Sequence, residues 1–170
     1  MSTSEPSTLP QPSHRVIFAP QPYAIRGATV FLSGSVDAPP TTWQSEFAAS
    51  LSHHPITILN PHRPDWDSTW REEITFPPFH EQVNWELDGM EKADVIAIYF
   101  GPSTQAPISL LELGLFIRSG KCVVACHEQY PKRGNVQIVC GRLSVEVLDS
   151  VGHLGVRVVE LLRKKGVLGN

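Results

Sequence analysis

Long apolar runs are missing from this chain: no stretch approaches the roughly 18 consecutive apolar residues that a membrane-spanning helix requires. A basic surface is missing as well. Fourteen Lys and Arg stand against 17 Asp and Glu, for a net charge of −3 and a pI near 6.1, which argues against non-specific nucleic-acid binding as the main activity. The three cysteines, Cys122, Cys126 and Cys140, are an odd number without zinc-type spacing. They exclude a disulfide framework and read as reduced core thiols of a cytoplasmic protein, the first two facing one side of a strand. The seven histidines also lack ligand spacing, so no metal is expected. No Gly-x-Gly-x-x-Gly follows the first strand, no Walker-type Lys is present, and Gly-x-Ser-x-Gly is absent, which disfavours dinucleotide, triphosphate and serine-hydrolase chemistry. Internal repeats are lacking too. What remains is a soluble protein acting on a small ligand without a cofactor.

What is present is enough apolar residue for one core: 170 residues, 41% hydrophobic and only 18% charged. Residues 1–24 are rich in Ser, Thr and Pro, lack the apolar run of a signal peptide, and read as a disordered tail preceding a domain over 25–170. From there apolar β-rich runs alternate with helical patterns. Strands are expected at Ala28–Leu32, Ile56–Leu59, Asp94–Phe100, Lys121–Cys126 and, more weakly, Val145–Leu148. Helices are expected at Trp43–Leu51 (capped by Thr41 or Thr42), Phe79–Lys92, Ser109–Ser119 and Val151–Lys165, with a helical turn over Asn135–Cys140. The continuous run Asp-Val-Ile-Ala-Ile-Tyr-Phe marks a strand buried on both faces. Such alternation predicts a flavodoxin-like α/β three-layer sandwich with a five-stranded parallel sheet. The loops Ser33–Val36, Asn60–Arg71 and Gly101–Ser109 then gather at its carboxyl edge, where doubly wound folds bind ligands.

Ser109-Leu110-Leu111-Glu112-Leu113-Gly114 places a lone carboxylate in an apolar helical run. Its spacing fits a capping box, with Ser109 as cap and Glu112 reaching back to its amide. It equally fits a nucleophile at the N-terminal turn, kept ionised by the helix dipole and orphan amides. Asp65, Trp66, Asp67, Trp70 and Arg71 crowd carboxylates beside indoles, with Trp85 nearby. The mixture suits a stacked heterocycle, or a loop folding back on its own tryptophans. Glu86 borders the apolar stripe of the second helix, at the edge of core and cleft or on a solvated face. Ser33-Gly34-Ser35 offers hydroxyls and amides to a sugar or phosphate, or is a strand-ending turn. Asp94, at the opposite edge, reads as a turn residue.

Four segments in order resemble the nucleoside 2-deoxyribosyltransferases and their deoxynucleotide N-glycosidase relatives. They are Phe31-Leu32-Ser33-Gly34, Asn60-Pro61-His62-Arg63-Pro64-Asp65-Trp66-Asp67, Asn84-Trp85-Glu86-Leu87-Asp88-Gly89-Met90 before Ala93-Asp94, and Leu111-Glu112-Leu113-Gly114. The resemblance implies that Glu112 is the nucleophile and Glu86 an acidic residue near the sugar. Ser33, Gly34, Ser35, Asp65, Trp66, Asp67, Trp70, Arg71 and Ser109 are the candidate substrate contacts. The implied reaction is attack of Glu112 on the anomeric carbon of a 2-deoxynucleoside, then transfer of the sugar to another base, in a nucleotide-salvage role. Hydrolysis of a deoxynucleoside or its monophosphate, and a binding module without turnover, are the alternatives. A homodimer completing the pocket is implied likewise. Three departures stand out. Phe31 replaces the family's first-strand Tyr, leaving Tyr99 or Ser109 to supply a hydroxyl. Ala106 replaces an Asp, and the phosphate-binding Ser of the nucleotide-cleaving relatives is not matched.

Overall fold

The computed structural model describes residues 13–35 and 42–169. Along the chain run β1 (Arg15–Phe18), β2 (Thr29–Gly34), α1 (Trp43–Ser50), β3 (Thr57–Asn60), α2 (Pro77–Lys92), β4 (Val95–Phe100), α3 (Pro107–Phe116), a 3₁₀ turn at Ile117–Ser119, β5 (Cys122–Cys126), α4 (Arg133–Arg142), β6 (Val147–Leu148) and α5 (Val151–Lys164). The strands form one sheet in the order β1-β3-β2-β4-β5-β6, every neighbouring pair parallel. Among the described residues no helix is long and apolar enough to cross a membrane.

The central strands are apolar throughout because helices cover both faces. All of β4 is buried. Side chains alternate along each strand, so Phe31, Leu59, Ile96, Ile98 and Phe100 pack on one face with Trp85 and Met90 of α2, Leu113 of α3 and Val136 of α4. Val30, Leu32, Ile58, Val95 and Ala97 face the other side, against Trp43 and Phe47 of α1 and the α5 stripe Leu154, Val158 and Leu162. All three cysteines are unpaired and buried on the first face. Desolvation pushes the Cys122 thiol up to about 12, so it remains a neutral core group.

The sheet has six strands where the sequence suggested five. The additional strand, Arg15–Phe18, pairs in register with Thr57–Asn60 and lies within the segment read as a tail. Composition concealed it, because only four residues carry it between proline-rich flanks. Its charged member is satisfied locally: Arg15 Nε donates to Thr57 Oγ1 at 3.0 Å and its guanidinium to the Ala24 carbonyl at 2.6 Å. The chain after it also packs, since Trp85 Nε1 donates to the Gln21 carbonyl at 2.9 Å and Tyr23 meets Trp85 edge-on at 5.4 Å. Residues 1–12 of that segment, and Val36 and Thr41 of the first loop, lie outside the described residues. Thr42 caps α1, accepting from the Ser45 amide.

The strand order reverses between β2 and β4: from β2 the chain moves to β3 on one side, from β4 to β5 on the other. A crevice opens at such a reversal above the carboxyl ends of the strands. Here β2 ends in Ser33 and Gly34, and β4 delivers the chain into α3.

Candidate active site

Period-two alternation puts Ser33 on the same face as Phe31, two residues further toward the crevice. There its hydroxyl donates to Glu112 Oε2 at 2.5 Å. Ser33 is 2% exposed, so this hydroxyl is a fixed donor, and the contact spans from β2 to α3. Phe31 lies beneath, fully buried, its ring centroid 6.2 Å from that of Trp85. Gly89 brings α2 so close that a Cβ there would stand 2.8 Å from the Phe31 ring. The hydroxyl missing at Phe31 is therefore supplied to Glu112 by Ser33 rather than by Tyr99 or Ser109. The sequence places Ser33 on the Phe31 face but carries no sign of its contact with α3.

The capping box does not form. Helix α3 starts at Pro107, behind Ala106 at φ 41° and ψ 56°, and that cap residue makes no side-chain hydrogen bond. Proline fits the first helical position, where no amide hydrogen is needed, so the start moves two residues upstream of Ser109. Ser109 is buried within the first turn, and Glu112 sits beyond it. The orphan amides end in that first turn, so they do not hold Glu112 ionised. Burial governs instead. Desolvation raises the Glu112 carboxyl to about 7; the Ser33 hydroxyl pulls it down and the Glu86 charge pushes it up.

Glu86, on α2, is half-buried, and desolvation raises its carboxyl too, against a lowering hydrogen bond from Gln82. Gln82 Nε2 donates to Glu86 Oε1 at 2.8 Å and to the Pro61 carbonyl at 2.8 Å. The residues acting on the two carboxylates here, Ser33 and Gln82, are neutral donors. A carboxylate beside a second one ionises less readily, so the two titrate as a coupled pair. One member can then attack while the other donates.

The second loop serves mainly itself. Asn60 Oδ1 accepts from the His62 amide at 2.9 Å, closing an Asx turn. Arg63, 9% exposed, pairs with Asp65 at 3.0 Å and Glu81 at 2.9 Å and lies over the Trp70 ring at 5.0 Å. Trp66 and Trp70 pack with centroids 5.1 Å apart, and Trp70 and Phe76 5.9 Å apart. Asp67 accepts from the Thr69 amide and hydroxyl at 2.8 and 2.7 Å, and Arg71 pairs with Glu73 at 3.2 Å. These contacts hold Asp65, Asp67, Trp70 and Arg71 within the loop and the start of α2. Trp66 is the more open indole, 41% exposed, and Trp70 is half-buried.

Gly34 and Ser35 shape the floor of the crevice. Ser35 Oγ, fully buried, accepts from the Gly101 amide at 2.8 Å, and its carbonyl accepts from Trp43 Nε1 at 2.8 Å. This ties β2 to the loop that leads into α3. That loop is anchored again where Tyr130 donates its hydroxyl to the Gln105 carbonyl at 2.6 Å. Asp94 accepts from the Thr29 amide at 2.9 Å, at the amino edge as its sequence position suggested. A groove of about 610 Å³ also lies at that edge, between Ile117, Cys122, Leu143, Val145 and Leu161. It is remote from the carboxylates, so volume is no guide to the chemistry here.

The sequence reading missed Gln82 as the partner of Glu86. Its signal was the i, i+4 spacing that places both on one helix face.

Among curated proteins, no relative matches the chain. A family model described as nucleoside 2-deoxyribosyltransferase like matches residues 27–130, from the strand carrying Ser33 to just beyond β5.

Proposed function

As this chain belongs to the nucleoside 2-deoxyribosyltransferase-like family, we propose that it cleaves the N-glycosidic bond of 2-deoxynucleosides and transfers the sugar to a second base. A Glu112 oxygen attacks the anomeric carbon as the carbon–nitrogen bond breaks. The bonding pair passes to the base nitrogen, which takes the proton held by Glu86. A deoxyribosyl ester on Glu112 remains. The incoming base then attacks the same carbon through nitrogen, expels the Glu112 carboxylate and returns its proton to Glu86. This is the double displacement of retaining glycosidases, with inversion at each step.

The observation that carries the reading is a half-buried carboxylate held by the Ser33 hydroxyl at 2.5 Å and facing the field of a second carboxylate. A core would not retain such a pair for stability, because both carboxyls are desolvated and no cation acts on them among the described residues. Arg63 and Arg71, the cations of the second loop, are engaged by Asp65, Glu81 and Glu73. That favours an uncharged nucleoside over a monophosphate, which needs convergent cations.

Incubation with a 2-deoxynucleoside and a different free base, followed by separation of products, tests this. Exchange that requires the second base is expected. Free deoxyribose would make the protein a hydrolase, and neither product would leave a binding module. The rate should follow a bell that falls as pH rises through about 7, where Glu112, pushed up by the charge of Glu86, gives up the last proton of the pair. A rate still climbing from pH 7 to 9 would contradict that assignment.

The homodimer implied by the resemblance forms part of the same proposal. Ile108, Leu111 and Leu115 of α3 are 58%, 68% and 60% exposed, one helix face beside Glu112. The face carries no charge, so two copies meet without repulsion. Light scattering should report a dimer for the native chain and a monomer for Leu111→Glu.

A further inference from the structure

We propose that Gln82 is a positioning residue, whose amide nitrogen clamps the Glu86 carboxylate to the Pro61 carbonyl and so sets the acid's place relative to Glu112. This rests on the reading of Glu86 as the proton donor. Gln82 is 5% exposed, and a glutamine is seldom so buried without a use for its amide. Its Nε2 lies 2.8 Å from the Pro61 carbonyl and 2.8 Å from Glu86 Oε1. A carbonyl and a carboxylate both accept, so the nitrogen must face them: its two hydrogens serve one each. The amide oxygen, held on the far side, is buried with no partner among the described residues. An isosteric apolar side chain would not strand that oxygen. The residue is therefore better explained by what its nitrogen holds.

Pro61 opens the loop after β3, whereas Gln82 and Glu86 occupy one face of α2. The clamp thus joins the loop, the helix and the acid. A tie between loop and helix alone would use a single hydrogen. The other hydrogen goes to the carboxylate, and it comes from a neutral group. A lysine there would stabilise the ionised form strongly and strip Glu86 of the proton it must deliver. An amide orients the carboxylate and leaves it able to stay protonated.

The test uses the full chain with Gln82→Met and Gln82→Glu. For each, kcat and KM for base exchange are measured from pH 5 to 9, the side-chain carboxyls are titrated by ¹³C NMR, and melting is followed to correct for the folded fraction. Gln82→Met is expected to lower kcat about 10- to 100-fold, with KM within about threefold of the native value. Losing a donor to the charged form raises the Glu86 titration further. Because the two carboxyls share their protons, both limbs of the bell-shaped profile move to higher pH. Gln82→Glu keeps the shape but gains a charge, so its activity should fall increasingly as pH rises. A Gln82→Met profile that superimposes on the native one would overturn the proposal, whether or not kcat falls. So would an unchanged Glu86 titration. A native chain that leaves the glycosidic bond intact would defeat the functional reading instead, and the NMR titration would then decide the clamp by itself.

Discussion

Glu112→Gln is expected to lose at least about 10³-fold in kcat/KM for base exchange while folding more stably than the native chain above pH 7. The loss follows from the chemistry, since an amide oxygen cannot form the ester and then leave as a carboxylate. The gain follows from linkage. An ordinary glutamate titrates at 4.5, and in the folded protein burial and Glu86 raise Glu112 to about 7. Between these values the folded state binds more protons than the unfolded state, so stability declines as pH rises through the interval. The stabilising contribution is complete below about 4.5 and gone above about 7. A difference of that size corresponds to at most about 3 kcal/mol. The amide introduced by the substitution would still accept the Ser33 hydrogen bond without carrying the charge, so the variant should melt higher than the native chain at pH 8 and similarly at pH 4. Activity within tenfold of native would remove Glu112 from the role of nucleophile. Equal melting temperatures at pH 8 would show that the carboxylate is not strained in the fold.

Gly34→Ala should cost about 3 kcal/mol or more, enough to empty the native state of a marginally stable domain. Gly34 has φ 154°, and a Cβ built on it would lie 2.3 Å from the Tyr99 carbonyl oxygen and 2.9 Å from the Trp43 ring. The nearest obstacle is backbone of the adjoining strand β4, in register with Gly34, and it cannot rotate away. Relief requires β2 and β4 to part where they deliver Ser33 to Glu112. Urea unfolding should show a sharply lower midpoint, and any folded fraction should have lost exchange activity. Gly120→Ala is the control: Gly120 has φ 72°, but a Cβ there meets nothing within 4 Å. Its cost should be confined to backbone strain, on the order of 1 kcal/mol. If the two variants unfold alike, steric contact at the strand end is not what demands glycine at Gly34.

Legibility in the sequence followed the reach of each interaction. The central strands were readable because burial on both faces leaves an uninterrupted apolar run, as in Val95–Phe100. Helix α5 was readable from its apolar stripe, and begins at Val151 behind the Ser150 cap. Strand β1 was not, because four residues make a strand only once β3 offers an edge, with Arg15 finding Thr57 forty-two positions away. The start of α3 shifted because a proline two residues before the serine gave the helix an earlier beginning.

The site divides the same way. Local chemistry singled out Glu112, whose carboxylate among leucines demanded a reason whatever the fold. Asp65 and Asp67 ranked below it, and their bonds to Arg63 and Thr69, two residues away, lie within the loop. The Ser33 contact closes across 79 positions, and spacing alone does not reveal a bond between two elements that meet only after the sheet assembles.

What the sequence by itself determined is the alternation of buried strands with amphipathic helices, and the presence of one lone carboxylate, Glu112, in an apolar helical run. These are properties of neighbouring residues and of side-chain polarity. Only the tertiary structure decided which hydroxyl holds that carboxylate, that Glu86 stands near enough to raise its titration, and that the Gln82 amide on α2 reaches the Pro61 carbonyl. Those depend on distances between elements remote in the chain, and desolvation arises only when the elements close around the groups they carry.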